Sequence, residues 1–144
     1  MANNSYTNWV CRCLATGLNA YSPKDGLRPF LLAEVSGRVE RRNIIVDTDQ
    51  DALNQARQLV AALPAETEAY GIVWFQALAT HGLGGPAILV EAACRGDQDA
   101  QIWARRFSIG GFFGKLASPP TSVFFGVRVA NAFGQVEGNY AFLS

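Results

Sequence analysis

Residues 69–108 read AYGIVWFQALATHGLGGPAILVEAACRGDQDAQIWARRFS, and this stretch decides the fold. It holds three runs rich in aliphatic, β-branched and aromatic residues, separated by THGLGGP and GDQD. Glycine and aspartate tolerate the backbone conformations that tight turns require. The stretch therefore predicts an antiparallel meander of three strands, at 69–79, 87–95 and 100–108.

Residues 47–64, DTDQDALNQARQLVAALP, have the periodicity of a helix. Their apolar side chains fall on one helical face, and proline stands where the pattern stops. The face consists of Leu53, Ala56, Val60 and Leu63, and the side chains expected to face solvent are Asn54, Arg57 and Gln58. Thr48 followed by Asp51 is typical of a capping box. We predict the main amphipathic helix here.

Three aspartates at the start of this helix, Asp47, Asp49 and Asp51, have the spacing that opens a calcium-binding loop. Such a loop needs glycine at its sixth position and glutamate at its twelfth, where this chain has Ala52 and Gln58. Acidic residues are also favoured in the first turn of a helix, by its dipole and its free N–H groups. The pattern favours helix capping, and no metal site is predicted.

Two elements are predicted before the main helix. Residues 5–16 place apolar side chains along one helical stripe, and Gly17 is expected to end that helix. The stripe consists of Tyr6, Trp9, Val10, Cys13 and Leu14. Between positions 29 and 46, two strand-like runs flank Ser36-Gly37, which predicts a hairpin.

Two further β-like runs, at 122–134 and 138–144, lie at the C-terminal end of the sequence. The elements together predict a single α+β domain over residues 1–144. We expect a mostly antiparallel sheet of about five or six strands. One main amphipathic helix should pack on this sheet, and a short helix should stand at the N-terminus.

The composition argues against nucleic-acid and membrane partners. The chain has 12 basic and 12 acidic side chains and a formal net charge of zero, so no long-range field attracts polyanions. The pairs Arg41-Arg42 and Arg105-Arg106 are expected on strands, where adjacent side chains point to opposite faces. We see no apolar run of membrane-spanning length and no secretory signal. A cytoplasmic protein with reduced cysteines is expected.

Candidate catalytic residues are few. His81 could serve as a base for Cys94 if folding brought the two together, because a thiolate needs a partner that lowers its pKa. The glycine-rich HGLGG leads into a predicted strand, whereas a phosphate-binding loop leads into a helix. Glu34, Glu91 and Glu137 could supply acid-base chemistry to such a pocket if they shared a cleft, but ordinary outward-facing strand residues are the default expectation. The alternative function is thus a small enzyme or ligand-binding domain with a pocket near His81 and Cys94, and no cofactor is predicted.

Residues 110–126, GGFFGKLASPPTSVFFG, place four phenylalanines among glycines and prolines. Because proline interrupts helices and central strands, we expect irregular backbone at least from Lys115 to Thr121. Adjacent phenylalanines in an extended chain face opposite ways, so one sheet surface covers only one of each pair. The others need a second layer, for which the N-terminal helix is a candidate, or another chain.

These features favour a non-enzymatic protein-interaction or assembly module. Charged residues make up only 17% of the chain, against about 25% in a typical soluble domain. Exposed phenylalanines promote aggregation unless a partner covers them. The docking surface is predicted to consist of Phe112, Phe113, Leu116, Phe124 and Phe125, with Arg105 and Arg106 as its polar rim. The partner is expected to be a second copy, giving a homo-oligomer, or another protein, as in an antitoxin-like or immunity-type pair.

Overall fold

A computed structural model describes residues 2–22, 24–44, 46, 48–78, 85–97, 99–106, 108–110, 115–117 and 122–130. The helices are α1 (Ala2–Ala20) and α2 (Asp49–Ala61). The strands are β1 (Phe30–Val35), β2 (Arg38–Asn43), β3 (Thr67–Leu78), β4 (Gly85–Cys94), β5 (Asp99–Arg106), β6 (Ser108–Gly110), β7 (Lys115–Ala117) and β8 (Ser122–Ala130).

Six of the strands form one antiparallel sheet in the order β2-β1-β3-β4-β5-β8. The predicted meander is its centre, where Trp74 pairs with Leu89 and Leu89 pairs with Ala104. The hairpin β1-β2 extends the sheet on one side, and β8 extends it on the other. The predicted α+β class, with five or six antiparallel strands, is confirmed.

The two helices lie on opposite faces of this sheet. Neighbouring residues of β3 show the arrangement, because Ile72 belongs to the apolar cluster that contains α2 and Val73 to the one that contains α1. Both side chains are completely buried. Strands buried on both faces have continuous apolar sequences rather than alternating ones. This explains why AILV in β4 shows no polar face.

Helix α1 extends beyond the predicted limits of 5–16, and the expectation that Gly17 ends it is wrong. Gly17 lies inside the helix and faces the sheet, where an added Cβ would stand 2.6 Å from Ile88 Cγ2 and 2.7 Å from Val73 Cγ1. The missing side chain allows the helix to approach the strands closely. Glycine here serves packing instead of helix termination.

Polar side chains of α1 bond to the backbone and to β5. The Trp9 indole N–H donates to the carbonyl of Tyr70 at 2.9 Å. The Tyr6 hydroxyl donates to the carbonyl of Ala92 at 3.2 Å and accepts from the Trp103 indole at 3.0 Å. Burial raises the pKa of Tyr6 to about 12, so this hydroxyl keeps its proton near neutral pH. These bonds fix the predicted stripe of α1 on the central strands.

The predicted turn and cap are also confirmed. Ser36 and Gly37 join β1 to β2 with positive φ angles of 51° and 79°, as a tight hairpin turn requires. The hydroxyl oxygen of Thr48 accepts a hydrogen bond from the backbone N–H of Asp51 at 3.1 Å. That bond satisfies one of the free donors at the first turn of α2.

The backbone around the proline pair is more regular than expected. Strand β7 pairs with β6, with Ile109 opposite Leu116, so irregular backbone was wrongly predicted for Lys115–Ala117. The end of the segment, 118–121, and the predicted strand at 138–144 lie outside the described residues.

Candidate functional site

The predicted docking residues lie late in the chain. Leu116 is the central residue of β7, and Phe124 and Phe125 lie in β8. Phe112 and Phe113 fall outside the described residues. The backbone thus places the second phenylalanine pair in the last strand of the described sheet, and the docking role of all five residues stays a prediction.

The pairing of β8 with β5 is irregular at the second phenylalanine pair. Trp103 is opposite Phe124, but the preceding residue, Ile102, is opposite Val127. Phe125 and Gly126 therefore have no direct partners in β5, which is the pattern of a β-bulge. Bulges occur preferentially at sheet edges, where they bend the strand and redirect side chains.

The two arginines of the predicted rim follow the alternation expected for a strand. Arg105 is opposite Ile88 in β4 and Ser122 in β8, and Ile88 faces α1. Directly opposed residues share a face, so Arg105 lies on the α1 side. Its Nε is buried and has no hydrogen-bond partner among the described residues. Arg106 is the next residue of β5 and is opposite Ala87. Because adjacent strand residues point to opposite faces, the two arginines do not form one basic stripe.

The two outer strands of the described sheet differ in charge. β2 reads RVERRN, in which four of six residues are charged, and Arg38, Arg41 and Arg42 are exposed. β8 reads SVFFGVRVA, and its one charged residue is Arg128. Charged side chains on an edge strand discourage pairing with another chain. β2 carries that protection, whereas β8 is predominantly apolar.

A buried ion pair joins α2 to the sheet. Glu91, at the middle of β4, is 0% exposed, and Arg57 Nη1 lies 2.8 Å from its Oε1 and 2.9 Å from its Oε2. The Tyr70 hydroxyl donates to Oε2. Glu91 and Arg57 were both expected to face solvent, and both expectations are wrong. A buried carboxylate requires a paired charge and hydrogen bonds, which Arg57 and Tyr70 supply.

The signal for this cluster was present in the sequence. Glu91 interrupts the run AILVEAAC in the central strand of the predicted meander. With a helix on each face, such a strand has no outward-facing side, so the glutamate is buried whichever way it points. The sequence did not identify Arg57 as the partner of Glu91, because Arg57 lies beside the apolar face of α2 rather than on it.

Cys94 lies in a cleft at the end of β4. The cleft has a volume of about 480 Å³, and its charged lining residues are Arg12, Glu34 and Glu68. Burial raises the pKa of the Cys94 thiol, and the carboxylates of Asp97, Glu34 and Glu68 raise it further. A nucleophilic cysteine requires the opposite shift. The described surroundings of Cys94 therefore favour an unreactive thiol.

Of the residues predicted for the catalytic pocket, the described part of the chain places Glu34 beside Cys94. His81 and Glu137 lie outside the described residues. Cys94 is opposite Ala69 at one end of the β3-β4 ladder, and Gly85 is opposite Leu78 at the other end. Glu34 does line the Cys94 cleft, so one of the three predicted glutamates lies beside the thiol.

The three thiols should differ in reactivity toward iodoacetamide at neutral pH. Cys11 is exposed, Cys13 is buried and Cys94 is intermediate, and burial also raises the pKa of Cys13. We expect Cys11 to react first, Cys94 at least about tenfold more slowly, and Cys13 last. Peptide mass spectrometry over a time course measures the order. Faster alkylation of Cys94 than of Cys11 would contradict the inert-thiol interpretation.

The part of the chain that the structure describes contains no cluster of three or more His, Cys, Asp and Glu side chains placed to hold a metal ion. Asp49 and Asp51 lie in the first turn of α2, as the capping interpretation predicts, and Asp47 lies outside the described residues. Neither described helix combines the length and the hydropathy needed to cross a membrane.

No protein-family model, curated protein or solved structure matches this chain.

Proposed function

We propose that the chain is a non-enzymatic protein-interaction or assembly module that docks through its C-terminal strands and the Phe/Gly/Pro-rich segment before β8. The observation that carries this proposal is the contrast between the two outer strands of the described sheet. β2 is protected by four charged residues in six, whereas β8 carries one in nine. A partner should therefore meet the sheet at β8.

Strand addition gives this docking a physical basis. An outer strand of a sheet presents backbone N–H and C=O groups that another strand can pair with. Apolar side chains on both strands then add buried area to the main-chain hydrogen bonds. The bulge at Phe125-Gly126 makes the pairing selective, because a partner has to match the bend that it introduces.

The state of the reactive side chains supports a non-enzymatic role. The carboxylate of Glu91 is buried in the core, where it accepts hydrogen bonds from Arg57 and Tyr70. The thiols of Cys13 and Cys94 have raised pKa values, so both are protonated near neutral pH. A general base or nucleophile has to be accessible and tuned toward the working pH. None of these three groups meets both conditions.

The partner to test first is a second copy of the chain. Its equal numbers of basic and acidic residues, 12 of each, give no net repulsion between copies. Antiparallel pairing of β8 with β8 would generate a two-fold symmetric dimer, the commonest form of soluble oligomer. One continuous sheet would then run through both copies.

Light scattering during size-exclusion chromatography tests this assembly. We expect the wild-type chain, of 15.6 kDa, to elute as a dimer or larger species. Phe124→Ser combined with Phe125→Ser should shift it to the monomer, because the strand loses its apolar contacts. Val39→Ser on β2 is the matched control and should leave the mass unchanged. Circular dichroism spectra establish that each variant is folded.

Two results would count against the proposal. A wild-type monomer at every concentration contradicts self-assembly and leaves a heterologous protein as the required partner. That partner should then co-purify with the wild-type chain and the Val39→Ser control, but not with the Phe124→Ser/Phe125→Ser variant. Equal behaviour of wild type and the double variant in both experiments contradicts docking at β8.

The second candidate function is that of a small enzyme or ligand-binding domain whose pocket is the cleft beside Cys94. The specific observation in its favour is the cleft itself, about 480 Å³ in volume with Trp9, Arg12, Glu34 and Glu68 in its lining. If Cys94 alkylates fast and a His81→Ala variant abolishes that reactivity, this candidate takes precedence over docking.

A further inference from the structure

We propose that a second cleft, between the C-terminal end of α1 and the β1-β2 hairpin, binds a small organic monocarboxylate. The cleft has a volume of about 490 Å³. Its lining combines the cations Arg28 and Arg41 with apolar surface from Ala20, Leu27, Pro29 and Ile44. Most small-molecule sites have this composition, in which apolar walls surround a few polar groups that fix orientation.

The guanidinium of Arg41 is held in place before any ligand arrives. Its Nε donates to Asn43 Oδ1 at 3.0 Å, and its Cζ lies 4.0 Å from the centre of the Phe30 ring. The Phe30 side chain is completely buried, so it provides a fixed surface for stacking. An ordered arginine loses less side-chain entropy when it binds an anion.

Both cations of the cleft are available to a ligand. Neither Arg28 nor Arg41 forms an ion pair with a carboxylate among the described residues. With Nε bonded to Asn43, four of the five guanidinium N–H donors of Arg41 remain, and their fork matches a planar carboxylate. The ordered cation is thus oriented for a bidentate contact that the described chain does not itself supply.

The charge of the lining favours a singly charged anion. Asp25 lies in the same cleft as Arg28 and Arg41, so two positive charges and one negative charge leave one positive charge. A monocarboxylate matches that charge, and its apolar body can contact the leucine, proline and isoleucine of the wall. A phosphate dianion would face repulsion from the Asp25 carboxylate.

Titration with benzoate, followed through backbone amide chemical shifts, tests this site. We expect saturable shifts at residues 26–28 and 41–44, with a dissociation constant on the order of 1 mM for so small a ligand. The neutral isostere benzamide should bind much more weakly, because it lacks the charge that Arg41 recognises. Benzamide shifts equal to those of benzoate would contradict the proposal, as would the absence of saturable benzoate shifts.

Four variants separate a built site from general attraction to arginine. Arg41→Gln should weaken benzoate binding by about tenfold or more, and Arg41→Lys should weaken it by several-fold because lysine lacks the fork. Arg42→Gln is the matched control, since Arg42 is exposed and is adjacent to Arg41 on β2, where successive side chains point to opposite faces. Asp25→Asn should strengthen binding. Equal losses in Arg41→Gln and Arg42→Gln would overturn the site.

This cleft is independent of the proposed docking function. The cleft lies at the β1-β2 hairpin, whereas docking is proposed at β8, the outer strand at the opposite edge of the described sheet. The benzoate titration can therefore fail while the association at β8 holds, and the reverse is equally possible.

Discussion

Replacing Arg57 by leucine is expected to lower the free energy of unfolding by about 3–5 kcal/mol. The substitution leaves Glu91, which is completely buried, without the cation that neutralises it. The carboxylate keeps the hydrogen bond from Tyr70, but that bond does not balance its charge. Urea unfolding followed by circular dichroism at neutral pH measures the loss.

The same cluster provides its own control. In the triple variant Arg57→Leu, Glu91→Leu, Tyr70→Phe, every member of the polar cluster becomes apolar. Replacing a whole buried ion pair by apolar residues of similar size is often close to neutral, so the triple variant should recover most of the stability. If it unfolds as easily as Arg57→Leu alone, the loss in the single variant comes from disrupted packing and not from an unpaired charge.

Replacing Gly71 by alanine is expected to destabilise the fold by about 1–3 kcal/mol. Gly71 lies in β3 beneath α1, where an added Cβ would stand 2.5 Å from the Cys13 sulfur and 3.2 Å from Val90 Cγ2. Cys13 is itself completely buried, so its side chain has little room to move. The helix and the strand would have to separate, and urea unfolding measures the cost.

A second substitution tests whether the sulfur causes that cost. Cys13→Ala removes the nearest atom, so the Gly71→Ala, Cys13→Ala double variant should be more stable than the sum of the single losses predicts. Gly17→Ala is the matched control, because its added Cβ meets Ile88 and Val73 instead. Cys13→Ala should give that variant no such compensation. Additive losses for Gly71 and Cys13 would show that the close approach is not limiting.

The elements of the fold could be predicted because local rules and tertiary packing agree along most of the chain. The turn at Ser36-Gly37 and the cap at Thr48 depend on neighbours in sequence, and both appear as predicted. The meander also follows from local signals, since each run of strand residues ends at a turn. Antiparallel pairing of adjacent strands is the arrangement that short connections favour.

The errors at Gly17, Arg57 and Glu91 arise because the role of each residue depends on contacts distant in sequence. Gly17 resembles a helix end, yet it lies in α1 because β3 and β4 pass close beneath it. Arg57 resembles a solvent-facing residue of α2, yet it bonds to Glu91, 34 positions further along the chain. Neither contact has a local signature. The Arg41 cleft was missed for the same reason, since it depends on the connection between α1 and β1 lying beside the end of β2.

Amide hydrogen exchange at two protein concentrations tests the central claim, that β8 is the docking strand, most directly. At high concentration the amides of Ser122–Ala130 should become more protected, while those of Arg38–Asn43 on the opposite outer strand should exchange equally fast at both concentrations. The contradicting result would be equal exchange rates for the β8 amides at both concentrations, in a sample that light scattering shows to be assembled. Association would then not involve this strand.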